Sequence, residues 1–375
     1  MSRLHVVQTV ASLSEAAGGP TRTIGALCEA LARGGATVDI VAGSGDLLPD
    51  PALVTTRFAH PSGIGAALGA ARAAYPDHAP ILHDNGLWGR ANIAASRAAL
   101  AANLPYVVSA HGMLAPWALA HRSLKKRVAW GAYERRRLAG AHGLLATAEA
   151  ERADIRRAVS RVPIATIPGG VDVPGVLPAR PAGPPTLLFM SRIHPVKNLI
   201  ALLDAWAVLS AQPRFGAWRL RIVGPDEGGH LATVRAHAER LGVSRVDFAG
   251  PVADADKSSA YAAAELFVLP SLTENFGVVV AEALAHGLPV VTTHGAPWAG
   301  VRDHGCGWWV APDAAALADA LGDAMARAPQ DRAAMGARGR AWVARDFGWD
   351  GIAARTAAFY TWLLHGGQRP DFVDV

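Results

Sequence analysis

The sequence predicts an α/β protein made of two doubly wound halves. Three observations carry this reading. Strand-like and helix-like segments alternate through both halves. A proline-rich stretch lies between them. At 375 residues the chain is long enough for two domains of ordinary size. In the first half, apolar runs read as strands at Leu4–Val10, Thr37–Ala42, Ile81–Asp84, Tyr106–Ser109 and Gly143–Thr147. Helical patterns follow at Thr21–Arg33, Ile64–Tyr75, Arg90–Ala102, Ser123–Leu138 and Glu149–Ala158. The second half repeats the scheme, with strands at Thr186–Met190, Arg219–Val223, Val246–Phe248, Leu266–Leu269 and Val290–Thr292. Helices read near Leu199–Ala211, His230–Leu241 and Ala255–Ala264, with another from about Phe276 and a last one around Ile352–Leu364. Pro163 to Pro185 contains seven prolines and reads as a linker.

Composition narrows the function classes. A hydrophobic content of 51% with 18% charged residues fits a globular chain rather than a disordered one. No apolar run approaches the roughly 20 residues that span a bilayer. Met1-Ser2-Arg3-Leu4 leads straight into a strand without a signal-peptide pattern. Cys28 and Cys306 have no metal-ligand spacing, so a reduced, cytoplasmic setting is expected.

The net charge of +5 is uneven. Residues 1–180 hold 19 basic against 12 acidic residues, the remainder 17 against 19. Lys125-Lys126-Arg127, Arg135-Arg136-Arg137 and Arg156-Arg157 form the main basic clusters, interleaved with Trp117, Leu124, Trp130, Tyr133 and Leu138. Such a stretch suits an anionic membrane surface or a solvated helix face. No nucleic-acid-binding module accompanies it.

The densest functional signal is Pro270 to Leu284. A strand ends, a short loop carries Glu274, Asn275, Phe276 and Gly277, and a helix then carries Glu282 on its first turns, eight positions after Glu274. Two carboxylates there can grip sugar hydroxyls, while the unpaired N–H groups at the helix start seat phosphate. A capped surface helix is the plain alternative. Upstream, Arg192 and Lys197 flank a strand-to-helix loop at the edge where open α/β sheets bind ligands. Guanidinium and ammonium groups there suit a diphosphate.

Together these segments resemble the family 4 glycosyltransferases, retaining sugar transferases of GT-B architecture. The resemblance runs from Ser191-Arg192 through Lys197-Asn198, Ile222-Val223-Gly224 and Phe248-Ala249-Gly250 to Leu269–Thr292. It implies two Rossmann-like domains facing across a cleft: residues 1–170 on the acceptor side and 182–351 on the nucleotide-sugar side. The final helix, about 352–375, would cross back to the first domain. It further implies that Arg192 and Lys197 bind the diphosphate, that Glu274 contacts the transferred sugar and that Glu282 contacts the ribose. Val252 and Asp254 would border the base, and Asn275, Phe276 and Gly277 would line the donor site.

In the first half, Gly18-Gly19 opens a helix after the first strand and would approach the donor phosphates. It is no G-x-G-x-x-G fingerprint, so no dinucleotide cofactor is indicated. His111 follows the strand Tyr106–Ser109 and matches the family's active-site histidine. Asp84-Asn85-Gly86-Leu87-Trp88 resembles acceptor-side loops. Asp254-Ala255-Asp256 spells a D-x-D, read here as a helix cap rather than a metal site. The expected reaction is therefore metal-independent transfer from a UDP- or GDP-sugar to a glycan or a polyprenyl-diphosphate-linked acceptor. Ala296-Pro297-Trp298 and Gly305 to Val310 resemble a bacterial subset that builds exopolysaccharide or lipopolysaccharide. The rival readings are a GT-B sugar-nucleotide epimerase or phosphorylase, and a noncatalytic carbohydrate- or membrane-binding protein.

Overall fold

The computed structural model describes residues 3–14, 19–120 and 123–375, with the backbone alone at 19–21 and 123. The chain divides into two compact units, residues 1–170 with 349–375, and residues 171–348.

The first unit begins with β1 (Leu4–Val10), β2 (Thr37–Ala42), β3 (Val54–Phe58), β4 (Ala79–Asn85), β5 (Tyr106–Ser109), β6 (Gly143–Ala146) and β7 (Ile164–Thr166). The second contains β8 (Thr186–Met190), β9 (Arg219–Val223), β10 (Val246–Gly250), β11 (Leu266–Leu269), β12 (Val290–Thr293) and β13 (Gly307–Val310). The C-terminal segment supplies the helix Trp349–His365 and β14 (Val373–Asp374) to the first unit. Its sheet runs β14-β7-β6-β5-β4-β1-β2-β3, parallel except for the β14–β7 edge pair. The second sheet is parallel and runs β10-β9-β8-β11-β12-β13.

Both sheets are doubly wound, and their strand order reverses at one place each: between β1 and β4, and between β8 and β11. Such switch points open a crevice at the carboxyl ends of the strands. The central strands are buried on both faces because helices cover them. Val6, Ile40, Ile81 and Val107 are sealed in the first unit, as are Leu187, Phe189, Leu266 and Phe267 in the second. Register then decides which side chains meet. Gln8 lies beside His83, Thr9 beside Asp84, and Asn85 beside Ser109.

Several elements differ from the sequence reading. β3 has only Val54 buried, so its polar edge pattern VTTRF hid it. β7 is three residues long inside the proline-rich stretch. β13 and the helices Ala314–Ala326 and Pro329–Asp346 extend the second unit past its expected strands. The helix expected at Ser123–Leu138 is widened into a π turn at Trp130–Glu134, which sets Glu134 inward. The helix expected from about Phe276 starts at Val278, because Gly277 is left-handed (φ +78°) and serves as its N-cap.

Candidate active site

In the second unit the loops after β8 and β11 adjoin at the switch point. Asn198, itself left-handed (φ +59°), donates from Nδ2 to Pro270 O (3.1 Å) and Pro312 O (2.7 Å). Leu272 N donates to Val196 O at 2.8 Å. These bonds bring Lys197 onto Glu274, with Nζ 2.5 Å from Oε1. Ser271 Oγ donates to the same oxygen at 2.6 Å. The backbone N–H of Glu274 bonds Gly295 O (2.7 Å) at a point where a Cβ on residue 295 would come within 2.4 Å of Leu272 O.

Lys197 is buried, with only 7% of its surface exposed. Arg192 is different. Its guanidinium is half exposed and pairs with Glu227 at 2.5 Å, on the loop after β9. The two cations that the sequence sets on one loop thus hold separate carboxylates.

The helix Val278–Ala285 begins with no side-chain cap at Gly277. Its first turn keeps N–H groups that an anion can accept from. Trp298, buried beneath this turn, donates from Nε1 to Phe276 O at 2.6 Å and packs against the Phe276 ring. Asn275 and Phe276 are partly buried on the same loop.

Glu282 accepts from Tyr261 Oη at 2.7 Å and lies 3.6 Å from Lys257 Nζ. Tyr261 stacks on His286 (4.7 Å between centroids), and His286 bonds back to Glu282 O (2.7 Å) and Ser258 Oγ (2.9 Å). Burial, and then the Glu282 carboxylate, push the Tyr261 phenol well above its ordinary value, so it remains a donor. Val252 is partly buried and packs against the core of the second unit.

Asp254 corrects the sequence reading. The N-cap of the helix Asp254–Ala262 is Ala253, without a side-chain bond. Asp254 instead occupies the first helical position, where the dipole favours an acid, and pairs with Lys257 at 3.3 Å. Among the described residues no cluster of three or more histidine, cysteine or acidic side chains forms a metal-binding group.

In the first unit, buried polar residues collect at the carboxyl ends of β1, β4 and β5. Asp84 accepts from Thr9 Oγ1 (2.7 Å), Asn92 Nδ2 (3.1 Å) and Arg137 Nη1 (2.6 Å). Arg137 also bonds Glu134 at 2.5 Å and Gly86 O at 3.1 Å. His83 bonds Ser109 Oγ (2.7 Å) and Tyr360 Oη (2.5 Å). His111 stands in a left-handed conformation (φ +48°), a costly one for a side chain with a Cβ, with Nε2 2.9 Å from Asn85 Oδ1. Burial lowers its basicity, with Glu151 opposing. Gly19 opens the helix Gly19–Arg33, while Gly18 lies outside the described residues.

This network also corrects the basic clusters. Arg137 is buried between Asp84 and Glu134, Arg156 pairs with Asp374, and Arg157 with Asp154. Lys125, Arg127, Arg135 and Arg136 remain exposed. Sequence reasoning missed Tyr261, Lys257 and Glu227, which carry no motif, and gave no role to Ser271 within the Pro270–Leu284 stretch. Only the i, i+3 spacing of Asp254 and Lys257 hinted at a pair.

Residues 17–173 match the family described as Glycosyltransferase Family 4, and residues 184–327 the one described as Glycosyl transferases group 1. A GDP-mannose-dependent α-(1-6)-phosphatidylinositol monomannoside mannosyltransferase of Mycobacterium tuberculosis is 31% identical over 299 residues, covering 71% of each chain. The chain belongs to the family 4 glycosyltransferases. A D-inositol 3-phosphate glycosyltransferase of Streptomyces scabiei is 41% identical over 194 residues, 48% of this chain and 42% of that protein. The chain thus spans less than half the length of that relative.

Among solved structures, sucrose-phosphate synthase of Thermosynechococcus elongatus superposes with a TM-score of 0.77 at 21% identity, covering 97% of this chain and all of the other. HepE of Anabaena, solved with UDP-glucose, gives 0.75 at 20% identity, covering 96% of this chain and all of the other. These likenesses establish that this family 4 chain has the GT-B fold, with two Rossmann-like units.

Proposed function

We propose that this family 4 chain is a retaining glycosyltransferase that moves a hexose from a UDP- or GDP-sugar to a glycan or lipid-linked acceptor in cell-surface polysaccharide biosynthesis. The observation that carries the reading is the Lys197–Glu274 pair at the β8/β11 switch point. Beside it, Arg192 and the open helix start at Gly277 offer further positive potential. Lys197 and Arg192 would take the diphosphate oxygens and stabilise the charge that develops on the leaving group. Glu274 would hold the hexose hydroxyls, and Glu282, braced by Tyr261, the ribose. Val252 and Asp254 would border the base, with Asn275 and Phe276 along the donor. Gly18 and Gly19 of the first unit would let a phosphate come close to the backbone. His111 would hydrogen-bond a sugar hydroxyl.

The mycobacterial relative is named for GDP-mannose and HepE was solved with UDP-glucose, so a nucleoside-diphosphate hexose is the class to test. With two cations available for the diphosphate, the reading needs no metal or other cofactor, and turnover should persist in EDTA.

A patch on the first unit supports an acceptor carried on a membrane. Trp117, Leu119, Leu124 and Val128 are exposed on the short helices Pro116–Ala120 and Ser123–Ala129, beside Lys125 and Arg127. Apolar and basic groups side by side suit anionic headgroups at a cytoplasmic leaflet. Among the described residues no helix is long and apolar enough to cross a membrane.

Thermal shift with a panel of UDP- and GDP-sugars tests the donor reading, because a bound donor raises the melting temperature according to its affinity. A rise for one nucleotide-sugar that exceeds the rise for its free nucleotide is the expected result. No shift with any member of the panel would reject it.

A further inference from the structure

The hydrogen bonds around Asn85 determine where the proton of His111 resides. A carboxamide has one donating and one accepting end. The Asn85 Nδ2 end lies 3.2 Å from the carbonyl oxygen of Thr9, which can only accept. It also lies 2.7 Å from Gln8 Oε1. Gln8 then presents its oxygen to Asn85 and its Nε2 to His83 Nδ1 at 3.2 Å and Tyr360 Oη at 3.5 Å, either of which can accept. The oxygen of Asn85 is therefore the end that faces His111 Nε2 at 2.9 Å. An amide oxygen has no proton to give, so Nε2 must carry one.

The second nitrogen follows from the first. A neutral imidazole holds a single N–H, and burial disfavours a second proton. Glu151 opposes that effect through space but is not bonded to the ring: its two oxygens accept from Gly112 N (2.6 Å), Thr147 N (2.8 Å) and Thr147 Oγ1 (2.8 Å). Among the described residues, His111 Nδ1 has no hydrogen-bond partner. We infer that Asn85 is a positioning residue that fixes His111 as the Nε2-protonated form, leaving Nδ1 as a lone pair that accepts from a substrate hydroxyl.

The inference deepens the proposed function and rests on it for the contact between His111 and substrate. It specifies what can sit there. The group facing Nδ1 must donate, so a sugar hydroxyl fits and a phosphate or carboxylate oxygen does not. The left-handed backbone at His111 and Gly112 (φ +48° and +75°) holds the ring in this pose.

Long-range ¹H–¹⁵N NMR on the uniformly labelled full chain tests the proton position, with the His111→Gln spectrum giving the assignment. The expected wild-type pattern is a protonated Nε2 with slow proton exchange and an unprotonated Nδ1. Asn85→Leu should abolish the slow exchange and bring in the Nδ1–H form, whereas Asn85→Asp should keep Nε2 protonated. A wild-type ring protonated at Nδ1, or exchange unchanged in Asn85→Leu, overturns the inference.

Hydrolysis of UDP-glucose and of GDP-mannose tests the substrate half. With whichever donor turns over, Asn85→Leu should lower kcat roughly 5- to 10-fold, the worth of one neutral hydrogen bond, without raising KM. Asn85→Asp should recover most of that loss. If the NMR pattern holds while His111→Gln leaves kcat unchanged, the proton assignment stands and the role given to His111 in the proposed function fails.

Discussion

Lys197 Nζ and Glu274 Oε1 lie 2.5 Å apart, and the two side chains keep only 8% and 11% of their surface exposed. Each is the other's main compensation for leaving water. Under the proposed function, an incoming diphosphate would draw Lys197 toward itself, and that would free Glu274 for sugar hydroxyls. Arg192 is poised in a similar way by Glu227, but in solvent.

Lys197 and Arg192 should accordingly behave differently on substitution. Lys197→Met strands Glu274 and should cost about 3–5 kcal/mol of stability by denaturant titration. Arg192→Ala breaks an exposed pair and should cost no more than about 1 kcal/mol. Both should weaken binding of the free nucleoside diphosphate, by about 1.5–3 kcal/mol for Arg192→Ala. Calorimetry that finds the same nucleotide affinity in both variants as in the wild type would remove the diphosphate assignment.

The two glutamates should separate by ligand. Glu282→Gln is expected to weaken even the free nucleotide, since its assigned partner is ribose. Glu274→Gln should leave nucleotide binding nearly intact and lower turnover of the whole donor. Tyr261→Phe should follow Glu282→Gln in weaker form, because the phenol is what steadies that carboxylate. Equal losses of nucleotide affinity in both glutamate variants would contradict the division of labour.

Arg137→Met should destabilise the first unit by about 3–5 kcal/mol, because Asp84 and Glu134 would both lose a buried cation. Arg136→Ala, one position away and exposed, should stay within about 0.5 kcal/mol of wild type. Urea denaturation of the two variants side by side is sufficient. Similar midpoints would mean that Arg137 is no more internal than its neighbour.

His83 gives a pH dependence with a definite sign. Burial pushes its imidazole down to about 3 from an ordinary 6.5. Below pH 6.5 the unfolded chain takes up a proton that the folded chain refuses. Stability from this group is therefore complete above about 6.5 and is lost as pH falls toward 3. His83→Gln should flatten the fall in stability between pH 6.5 and 4. An unchanged slope would show that the fall comes from other groups.

Membrane binding should be salt-reversible and confined to anionic vesicles. Each basic residue near such a surface contributes about 1 kcal/mol, so charge reversal at Lys125 and Arg127 should largely abolish sedimentation with the lipid. Leu124→Glu, at a side chain that is 73% exposed, should do the same by removing an apolar contact and adding a repelled charge. Donor hydrolysis should be unaffected in these variants. Equal sedimentation with neutral and anionic vesicles at low salt would exclude the headgroup reading.

The buried parallel strands were legible because they are continuous Val, Ile and Leu runs, as in β2 or β11. β3 and β7 were not, one being a polar edge and the other three residues among prolines. At the proposed donor site the spacing of Glu274 and Glu282 pointed to a grip on sugar hydroxyls, and only the family resemblance divided it between hexose and ribose. Nothing local announced that Lys197 would be buried, or that Arg192 would turn to Glu227. Those depend on which loops Asn198 ties together. Arg137 misled for a similar reason: within a run of three arginines, the π turn alone decides which one faces inward.

The hydroxyl that meets His83 comes from Tyr360, 277 positions later in the chain. During synthesis, β1–β7 emerge first, yet their polar interior lacks Phe359 and Tyr360 until residues 171–348 have been made. The second unit is one continuous segment and can fold as it leaves the ribosome. The first must wait for the last helix and close a very long loop. The strands around Asn85 and His111 are thus the earliest made and the last completed, so an unfinished chain carries a folded second unit before His111 is held in place.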